Sequence, residues 1–241
     1  MAFPPAAVAL TGRRRPLVAS GIAVAGDTAS TPGTPSNGTP WYRELNRYHW
    51  FVLVVAALGW MFDTMDQQLF NLARGPALME LSGDPANAKF YGGLVTMIFI
   101  IGWATGGVYF GILGERIGRA KTMVYTILLY SMFTGLSVLS VGVWDFSFYR
   151  FLTGLGVGGQ FAVGVALVAE TLPDRARPYA LGWLQASSAL GNMLAALAGI
   201  ALGQMQSAGM LDSAWRAMFL VGALPAFLCI VVFRKLKEPV R

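Results

Sequence analysis

Residues 92–113 read GGLVTMIFIIGWATGGVYFGIL, a stretch of 22 residues without one charged side chain. About 20 mostly apolar residues are enough for an α-helix to cross a bilayer. Five further mostly apolar stretches, separated by short links, lie at residues 50–73, 122–143, 148–169, 179–204 and 214–233. Strands of a membrane β-barrel would be about half as long and would alternate in polarity. The sequence therefore predicts an all-α, polytopic membrane protein with six transmembrane helices.

The composition excludes several other classes of protein. Of the 241 residues, 55% are hydrophobic and 12% are charged, whereas about 25% of the residues of a soluble domain are charged. With one cysteine, Cys229, no intrachain disulfide can form, and the single histidine, His49, belongs to no cluster with metal-ligand spacing. No nucleophile or phosphate-loop motif is present. We therefore expect neither an enzyme nor a bound cofactor or metal.

The amino-terminal region differs in composition from the rest of the chain. It is rich in Ala, Pro, Thr and Gly, which cannot bury enough apolar surface to fold. A signal peptide is the alternative, because three arginines at 13–15 precede a mildly apolar run at 16–25. That run is short, broken by glycine and far from Met1, which favours a tail. We predict a disordered cytoplasmic tail at residues 1–47 and a six-helix transmembrane domain at residues 48–238.

The positive charges predict the orientation in the membrane. With the tail inside, eleven of the 18 Lys and Arg residues flank the inner ends of the predicted helices, and four lie at the outer ends or within helices. An excess of Lys and Arg marks cytoplasmic loops. We therefore expect an integral protein of the plasma (inner) membrane with both termini cytoplasmic. These flanking cations explain the net charge of +6 without nucleic acid. The expected partner is the lipid bilayer.

The first predicted span carries most of the polar residues found at membrane depth. At about 100° per residue, one face of this helix collects Asp63, Asp66, Gln67, Asn71 and Arg74. Charges at membrane depth are costly and usually mark function. One interpretation is a substrate cavity in which Asp63 or Asp66 binds a proton, because a carboxylate held away from water takes up a proton more readily. The alternative is that the carboxylates pair with Arg74 at the outer end of the helix.

Weaker polar candidates lie in the fourth and fifth spans. Gln160 in the fourth span, and Gln185 and Asn192 on one face of the fifth, are predicted either to contact substrate in the cavity or to hydrogen-bond between helices. Arg150 is a possible substrate cation, although its neighbour Asp145 favours an ion pair at the outer side. Two tryptophans inside the spans, Trp60 and Trp103, are further candidates for the cavity wall.

Glycines spaced four residues apart recur within the spans. The pairs are Gly102/Gly106, Gly107/Gly111, Gly154/Gly158 and Gly199/Gly203. This spacing places small residues on one helix face and lets two backbones approach closely. Tight static packing and helices that slide against each other both remain open as interpretations.

Two motifs, the second made of two stretches, carry a resemblance to a known family. Residues 111–121 read GILGERIGRAK, residues 150–160 read RFLTGLGVGGQ and residues 170–177 read ETLPDRAR. The first resembles the Gly-x-x-x-Asp-Arg-x-Gly-Arg loop of the major facilitator superfamily, with Glu115 where Asp is usual. The other two look like the pattern of its sugar and metabolite porters. The resemblance covers about residues 48 to 238.

The resemblance implies half of a transporter fold, an amino-terminal set of six helices beside a central cavity. It also implies a cytoplasmic gate built from Gly111, Gly114, Glu115, Arg116, Gly118, Arg119, Glu170 and Arg177. The implied function is secondary active transport of a small solute (a sugar, organic acid or aromatic acid) by alternating access. Coupling to protons, as in a symporter, is one form that this transport could take. A lone half predicts a need for a second six-helix half or a homodimer. The alternative is a truncated membrane remnant that does not transport.

Overall fold

The computed structural model describes residues 40–225, and this part of the chain is helical without a strand. A 3-10 helix at Trp41–Glu44 precedes six α-helices, and a second 3-10 helix, Ser137–Leu139, lies between the third and fourth. The α-helices are α1 (Arg47–Ser82), α2 (Pro85–Ile117), α3 (Arg119–Leu136), α4 (Val143–Thr171), α5 (Arg177–Ser207) and α6 (Ala214–Gly222).

Five of these described helices, α1 to α5, are long and apolar enough to cross a membrane. They confirm the predicted all-α, polytopic architecture. Helix α6 begins at the predicted start of the sixth span, and the part of that span beyond residue 225 lies outside the described residues. Residues 1–39 of the predicted tail, and Cys229, lie outside them as well.

Two predicted boundaries differ from the structure for local reasons. Helix α3 ends at Leu136 rather than at 143, and α4 begins at Val143 rather than at 148. The Asp145 carboxylate accepts hydrogen bonds from the backbone N–H groups of Val141 and Gly142, at 2.8 and 2.9 Å. Because a carboxylate at this position satisfies N–H groups that have no partner within the helix, it sets the start of α4.

The 3-10 helix is packed against the bundle although it falls within the predicted tail. The Trp41 ring stacks on that of Tyr179 in α5, with centroids 5.3 Å apart. Glu44 forms a 2.8 Å ion pair with Arg175 in the link between α4 and α5. The folded part of the chain therefore begins before the predicted boundary at residue 47.

The first helix starts at a reciprocal cap that uses the lone histidine. Asn46 Oδ1 accepts a hydrogen bond from the backbone N–H of His49 at 2.8 Å, and His49 Nδ1 accepts from the N–H of Asn46 at 3.4 Å. Both bonds satisfy donors that the helix leaves unpaired. His49 therefore acts locally, in the structure of the helix end.

Helices α2 and α4 pack backbone to backbone through glycine. A Cβ added at Gly106 would collide with the Leu155 carbonyl, and one added at Gly158 would collide with the Trp103 carbonyl. Gly102 and Gly154 face the partner backbone in the same way. In contrast, a Cβ at Gly107 would stay 3.5 Å from the Gly158 oxygen, which is an ordinary contact. Of the four predicted glycine pairs, two therefore make backbone contact, and both join α2 to α4.

Buried apolar side chains form two clusters, one towards each end of the bundle. One cluster includes Val52, Ala56 and Leu167, and the other includes Leu69, Phe70 and Phe219. We name the ends of the bundle after their charged residues, the Arg119 end and the Arg216 end. On α1 the buried members of the two clusters are separated by residues 57–64; Asp63 lies within this interval, and Asp66 lies at the start of the second cluster.

Candidate transport site

The centre of the candidate site is an ion pair between α1 and α4. Arg150 Nη2 lies 2.9 Å from Asp66 Oδ2, and both side chains are fully buried. The second oxygen of Asp66 accepts a hydrogen bond from Thr134 Oγ1 of α3 at 3.0 Å. Three helices therefore meet at one carboxylate.

The surroundings of Arg150 are aromatic. Its guanidinium carbon lies 4.6 Å from the ring centroid of Phe70 and 5.2 Å from those of Phe99 and Phe219. Rings around a cation attract it through their quadrupoles. Nε and Nη1 of Arg150 donate to no described residue. The guanidinium thus has one carboxylate partner and unused donors.

Asp63 lies one turn before Asp66 on α1 and is 1% exposed. Neither of its oxygens receives a hydrogen bond of ordinary geometry from the described residues. The side chains that act on it electrostatically are the Tyr130 hydroxyl of α3 and the neighbouring Asp66. A buried carboxylate without full hydrogen bonding is costly, and such positions are frequently functional.

Two ion pairs considered from the sequence do not form. Asp145 accepts three backbone N–H bonds at the start of α4, and Arg150 pairs with Asp66 instead. Arg74 donates from Nη1 to Thr96 Oγ1 of α2 at 2.8 Å, and not to a carboxylate of α1. The physical reason is depth: Arg74 is eight residues from Asp66, about 12 Å along the helix axis.

The remaining predicted cavity residues are spread over different environments. Gln67 is half-buried, and Asn71, Gln185 and Asn192 are exposed. Gln160 is 1% exposed; its amide lies against Gly59 of α1, where any Cβ would collide with Nε2. The structure therefore brings Asp63 and Asp66 together but leaves Gln185 and Asn192 on the open face of α5.

An aromatic cluster lies one helical turn from Asp63, at Trp60 of α1. The Phe161 ring of α4 is 4.4 Å from that of Trp60 in α1 and 6.4 Å from that of Trp103 in α2, centroid to centroid. The indole N–H groups of both tryptophans are buried and have no acceptor among the described residues. A groove of about 200 Å³ runs along Trp103 and Phe161. Unpaired buried donors next to flat rings are suited to a planar, polar ligand.

At the Arg119 end, the loop between α2 and α3 is tied to the end of α4. Arg119 donates to Glu170 Oε1 from Nε and Nη2, at 3.0 and 2.8 Å, and from Nη1 to the Gly111 carbonyl at 2.9 Å. Glu115 lies 3.5 Å from the same guanidinium. Gly118 has φ +104°, which disfavours any side chain, and a Cβ at Gly114 would lie 3.1 Å from Arg119 Nη1.

Two residues of the implied gate lie apart from this group. Arg177 donates to the Leu172 carbonyl at 2.9 Å and pairs with Asp174 at 2.6 Å, within the link between α4 and α5. Arg116 is exposed and forms no ion pair with a described residue. The structure thus joins Gly111, Glu115, Arg119 and Glu170, with Gly114 and Gly118 making room.

Thr134 and Tyr130 are site residues that the sequence did not single out. Both belong to α3, whose polar residues are ordinary for a membrane helix. One signal was available: Asp66 and Arg150 are opposite charges at membrane depth in separate spans, and each needs a partner.

Five helices long and apolar enough to cross a membrane, with an ion pair buried between two of them, define a polytopic membrane protein. The chain belongs to the Major Facilitator Superfamily, whose family model matches residues 50–241. This match confirms the resemblance seen in the two motifs. Members of the family are transporters and not enzymes.

Individual relatives agree with this assignment. A putative metabolite transport protein of Haemophilus influenzae is 35% identical over 196 residues, which are 81% of this chain and 46% of the relative. The niacin transporter NiaP of Acinetobacter baylyi is 31% identical over 196 residues, 81% of this chain and 42% of the relative. The chain spans about half the length of these curated relatives.

A solved structure shows the same fold. The proton:xylose symporter XylE, bound to 6-bromo-6-deoxy-D-glucose, superposes with a TM-score of 0.69 at 20% identity. The match covers 80% of this chain and 45% of XylE. At this level of identity the likeness concerns the fold alone.

Proposed function

We propose that this chain is the six-helix half of a secondary active transporter that carries a small organic acid together with a proton. In this proposal both termini are cytoplasmic and the membrane is the plasma (inner) membrane. The Arg119 end then faces the cytoplasm and the Arg216 end faces outward. The orientation is supported by the excess of Lys and Arg at the Arg119 end.

The observation that carries the proposal is the buried pair of Asp66 and Arg150, at 2.9 Å. When Asp66 binds a proton its carboxylate becomes neutral, and Arg150 is left as an uncompensated buried cation. A substrate carboxylate near Arg150 restores neutrality. Because an unpaired charge at this depth is costly, the proton and the anion favour each other's binding, which is the requirement for symport.

Asp63 provides a second carboxylate one turn away. It has no ion-pair partner among the described residues, and its negative charge opposes that of Asp66. We propose that one proton is shared between these two carboxylates during the cycle. The pair would then bind a proton as a unit, and loss of either carboxylate would disrupt the coupling.

The aromatic cluster supports a planar substrate. Trp60 lies one turn before Asp63 on α1, and with Phe161 and Trp103 it offers flat rings and two unpaired N–H donors. One relative carries niacin, which is a pyridine carboxylic acid. We propose an aromatic or similarly planar carboxylate as the substrate class, with Gln160 acting between α1 and α4 rather than on the substrate.

We propose that Arg119, Glu170 and Glu115 act as the cytoplasmic latch of alternating access. Glu170 and Glu115 are partly exposed, at 44% and 67% of their side-chain surface. Exposed ion pairs contribute about 0–1 kcal/mol. A latch of this strength can open and close without trapping either state.

We also propose that transport needs a second six-helix half, supplied by a longer chain, a separate chain or a second copy. Polar side chains on the open faces of α1 and α5, such as Asn71, Gln185 and Asn192, are exposed. In a membrane such groups favour a water-filled cavity or a protein partner over lipid.

Uptake of radiolabelled nicotinate tests the proposal. Cells would express the 241-residue chain alone and together with the carboxyl-terminal half of the Haemophilus relative. We expect uptake only in the second case, stimulated by an inward proton gradient and abolished by a protonophore. Asp66→Asn should abolish the response to the gradient.

Two results would contradict this function. Uptake that depends neither on the proton gradient nor on Asp66 would contradict the proposed proton coupling. Uptake of glucose or xylose without uptake of nicotinate or benzoate would contradict the proposal that the substrate is an organic acid.

A further inference from the structure

A pocket opens between α1 and α2 towards the Arg216 end, separate from the ion pair of Asp66 and Arg150. Its volume is about 490 Å³, and its wall includes Asn71, Arg74, Lys89, Gly92 and Gly93. The wall contains two cations and no acidic residue. The pocket is therefore positively charged.

Arg74 is fixed in place at this pocket. Its Nη1 donates to Thr96 Oγ1 at 2.8 Å, and Thr96 in turn donates to the Gly92 carbonyl at 2.8 Å. The stem of Arg74 crosses Gly92, whose added Cβ would lie 3.6 Å from Arg74 Cδ. The glycine provides room for the arginine, and the threonine fixes its direction.

No described carboxylate neutralises Arg74 or Lys89. The two acidic residues between Arg74 and Lys89 in the chain, Glu80 and Asp84, have other partners. Glu80 accepts from Trp215 at 2.7 Å and from Arg216 at 3.0 Å. Asp84 accepts from the Ala86 N–H and from Asn87 at the start of α2. A half-buried arginine inside a membrane helix is unfavourable unless an anion compensates it. Among the described residues, the charge of Arg74 is therefore compensated by no carboxylate.

The position of the pocket relates it to the deeper site. Arg74 follows Asp66 by eight residues, about 12 Å along α1. Gln67 and Asn71 lie between them on the same face of the helix. An anion leaving the pocket would meet amide groups before it reached Arg150.

We infer that Arg74 and Lys89 form an outer anion-binding site, which captures the organic acid before it moves to Arg150. The inference rests on the proposed function for the identity of the anion and for the outward direction. Its role is capture: a cationic pocket raises the local concentration of an anion and its rate of association. Carboxylate oxygens and phosphate oxygens fit the same chemistry.

Binding to the 241-residue chain in phosphatidylcholine nanodiscs tests the inference, with equilibrium dialysis of radiolabelled nicotinate. Nicotinamide is the neutral analogue, and inorganic phosphate is the competing anion. Arg74→Gln removes the anchored cation, Arg74→Lys keeps the charge, and Arg43→Gln removes a cation at the other end. Circular dichroism verifies that each variant is folded.

We expect Arg74→Gln to weaken nicotinate binding by roughly tenfold to a hundredfold, which is the range for loss of a charged hydrogen bond. Lys89→Gln should have a smaller effect of the same sign, Arg74→Lys should restore part of the affinity, and added salt should weaken binding. Arg43→Gln should bind nicotinate with the affinity of the parent chain. The binding of nicotinamide should be the same in Arg74→Gln as in the parent.

Three outcomes would overturn the inference. Unchanged nicotinate affinity in folded Arg74→Gln would show that the pocket is not the site, while proton-driven uptake would still support the proposed function. Loss of nicotinate binding in discs that contain phosphatidylglycerol, with that lipid retained by the parent chain and not by Arg74→Gln, would make a lipid headgroup the occupant. Equal binding of nicotinamide would show that charge is not recognised. Binding of phosphate in place of nicotinate would keep the anion site and contradict the organic-acid class.

Discussion

Arg150 of α4 and Asp66 of α1 form an ion pair of 2.9 Å in which neither side chain is exposed. The two residues are 84 positions apart in the chain, so the pair exists only when the helices are packed in their final order. Thr134 of α3 completes the arrangement with a 3.0 Å hydrogen bond to the other carboxylate oxygen. The three helices are thus joined at one buried point.

Breaking this pair from either side should destabilise the bundle. Asp66→Asn leaves Arg150 without a counter-charge, and Arg150→Gln leaves Asp66 without one. Each should lower the free energy of unfolding by about 3–5 kcal/mol, because removal of one partner strands a buried charge. Unfolding by SDS titration in mixed micelles measures this quantity.

The double variant distinguishes a pair from two independent effects. With both charges gone, the loss should be smaller than the sum of the two single losses. Additive losses would mean that Asp66 and Arg150 stabilise the bundle separately, and the pair would have no coupling energy.

The glycines between α2 and α4 allow a second prediction with a close control. Gly106→Ala should lower the free energy of unfolding by about 1–3 kcal/mol, since its Cβ would meet the Leu155 carbonyl. Gly107→Ala, at the next position of the same helix, has room for a Cβ at 3.5 Å from the Gly158 oxygen. Its stability should be unchanged or raised by up to about 1 kcal/mol.

SDS titration of both variants in parallel provides the comparison. Equal stability of Gly106→Ala and Gly107→Ala would show that α2 and α4 separate readily, which would favour sliding of the two helices over tight packing.

Arg119 should be irreplaceable by lysine. The guanidinium reaches Glu170 with two nitrogens and the Gly111 carbonyl with a third, whereas an ammonium group has no such fork. We expect Arg119→Lys and Arg119→Ala to impair nicotinate uptake to a similar degree in cells that also supply a second half. Membrane insertion should be retained, because the partly exposed pair contributes at most about 1 kcal/mol to stability.

The control for Arg119 is Arg43→Ala, which removes an exposed cation near the same end of the bundle and should leave uptake unchanged. Normal uptake by Arg119→Ala, with normal protein levels, would exclude the latch.

Arg216 fastens α6 to the opposite end of the bundle. It donates to the Val138 carbonyl at 2.5 Å, to the Ser140 carbonyl at 3.4 Å and to Glu80 at 3.0 Å. Arg216→Met keeps much of the apolar stem but leaves these acceptors without a donor. We expect a loss of about 1–3 kcal/mol and faster amide hydrogen exchange in the segment 137–142. Unchanged exchange there would show that the segment is held by other contacts.

The span positions were predictable because hydropathy is a property of each segment by itself. The face of α1 that carries Asp63 and Asp66 was predictable for the same reason, since the helix period is fixed. The partner of Asp66 was not, because it depends on which helices become neighbours. Gln160 illustrates the limit: the sequence left contact with substrate and contact between helices both open, and the position of its buried amide against Gly59 depends on how α1 and α4 pack.

Helix ends were predicted less well than helix centres. The third span was expected to run to residue 143, but Asp145 captures the N–H groups just before α4 and so sets its start. A carboxylate that caps a helix and one that pairs with an arginine are the same residue type in the sequence. Only the arrangement in space separates Asp145 from Asp66.

The contact between α2 and α4 has an evolutionary consequence. At Gly102, Gly106, Gly154 and Gly158 the smallest possible addition, one methyl group, already meets a backbone atom of the opposite helix. A backbone atom cannot be shortened by mutation, so room for the methyl group requires the two helices to move apart. Descendants of this sequence should vary freely on the outer surfaces of these two helices while the four glycines stay invariant.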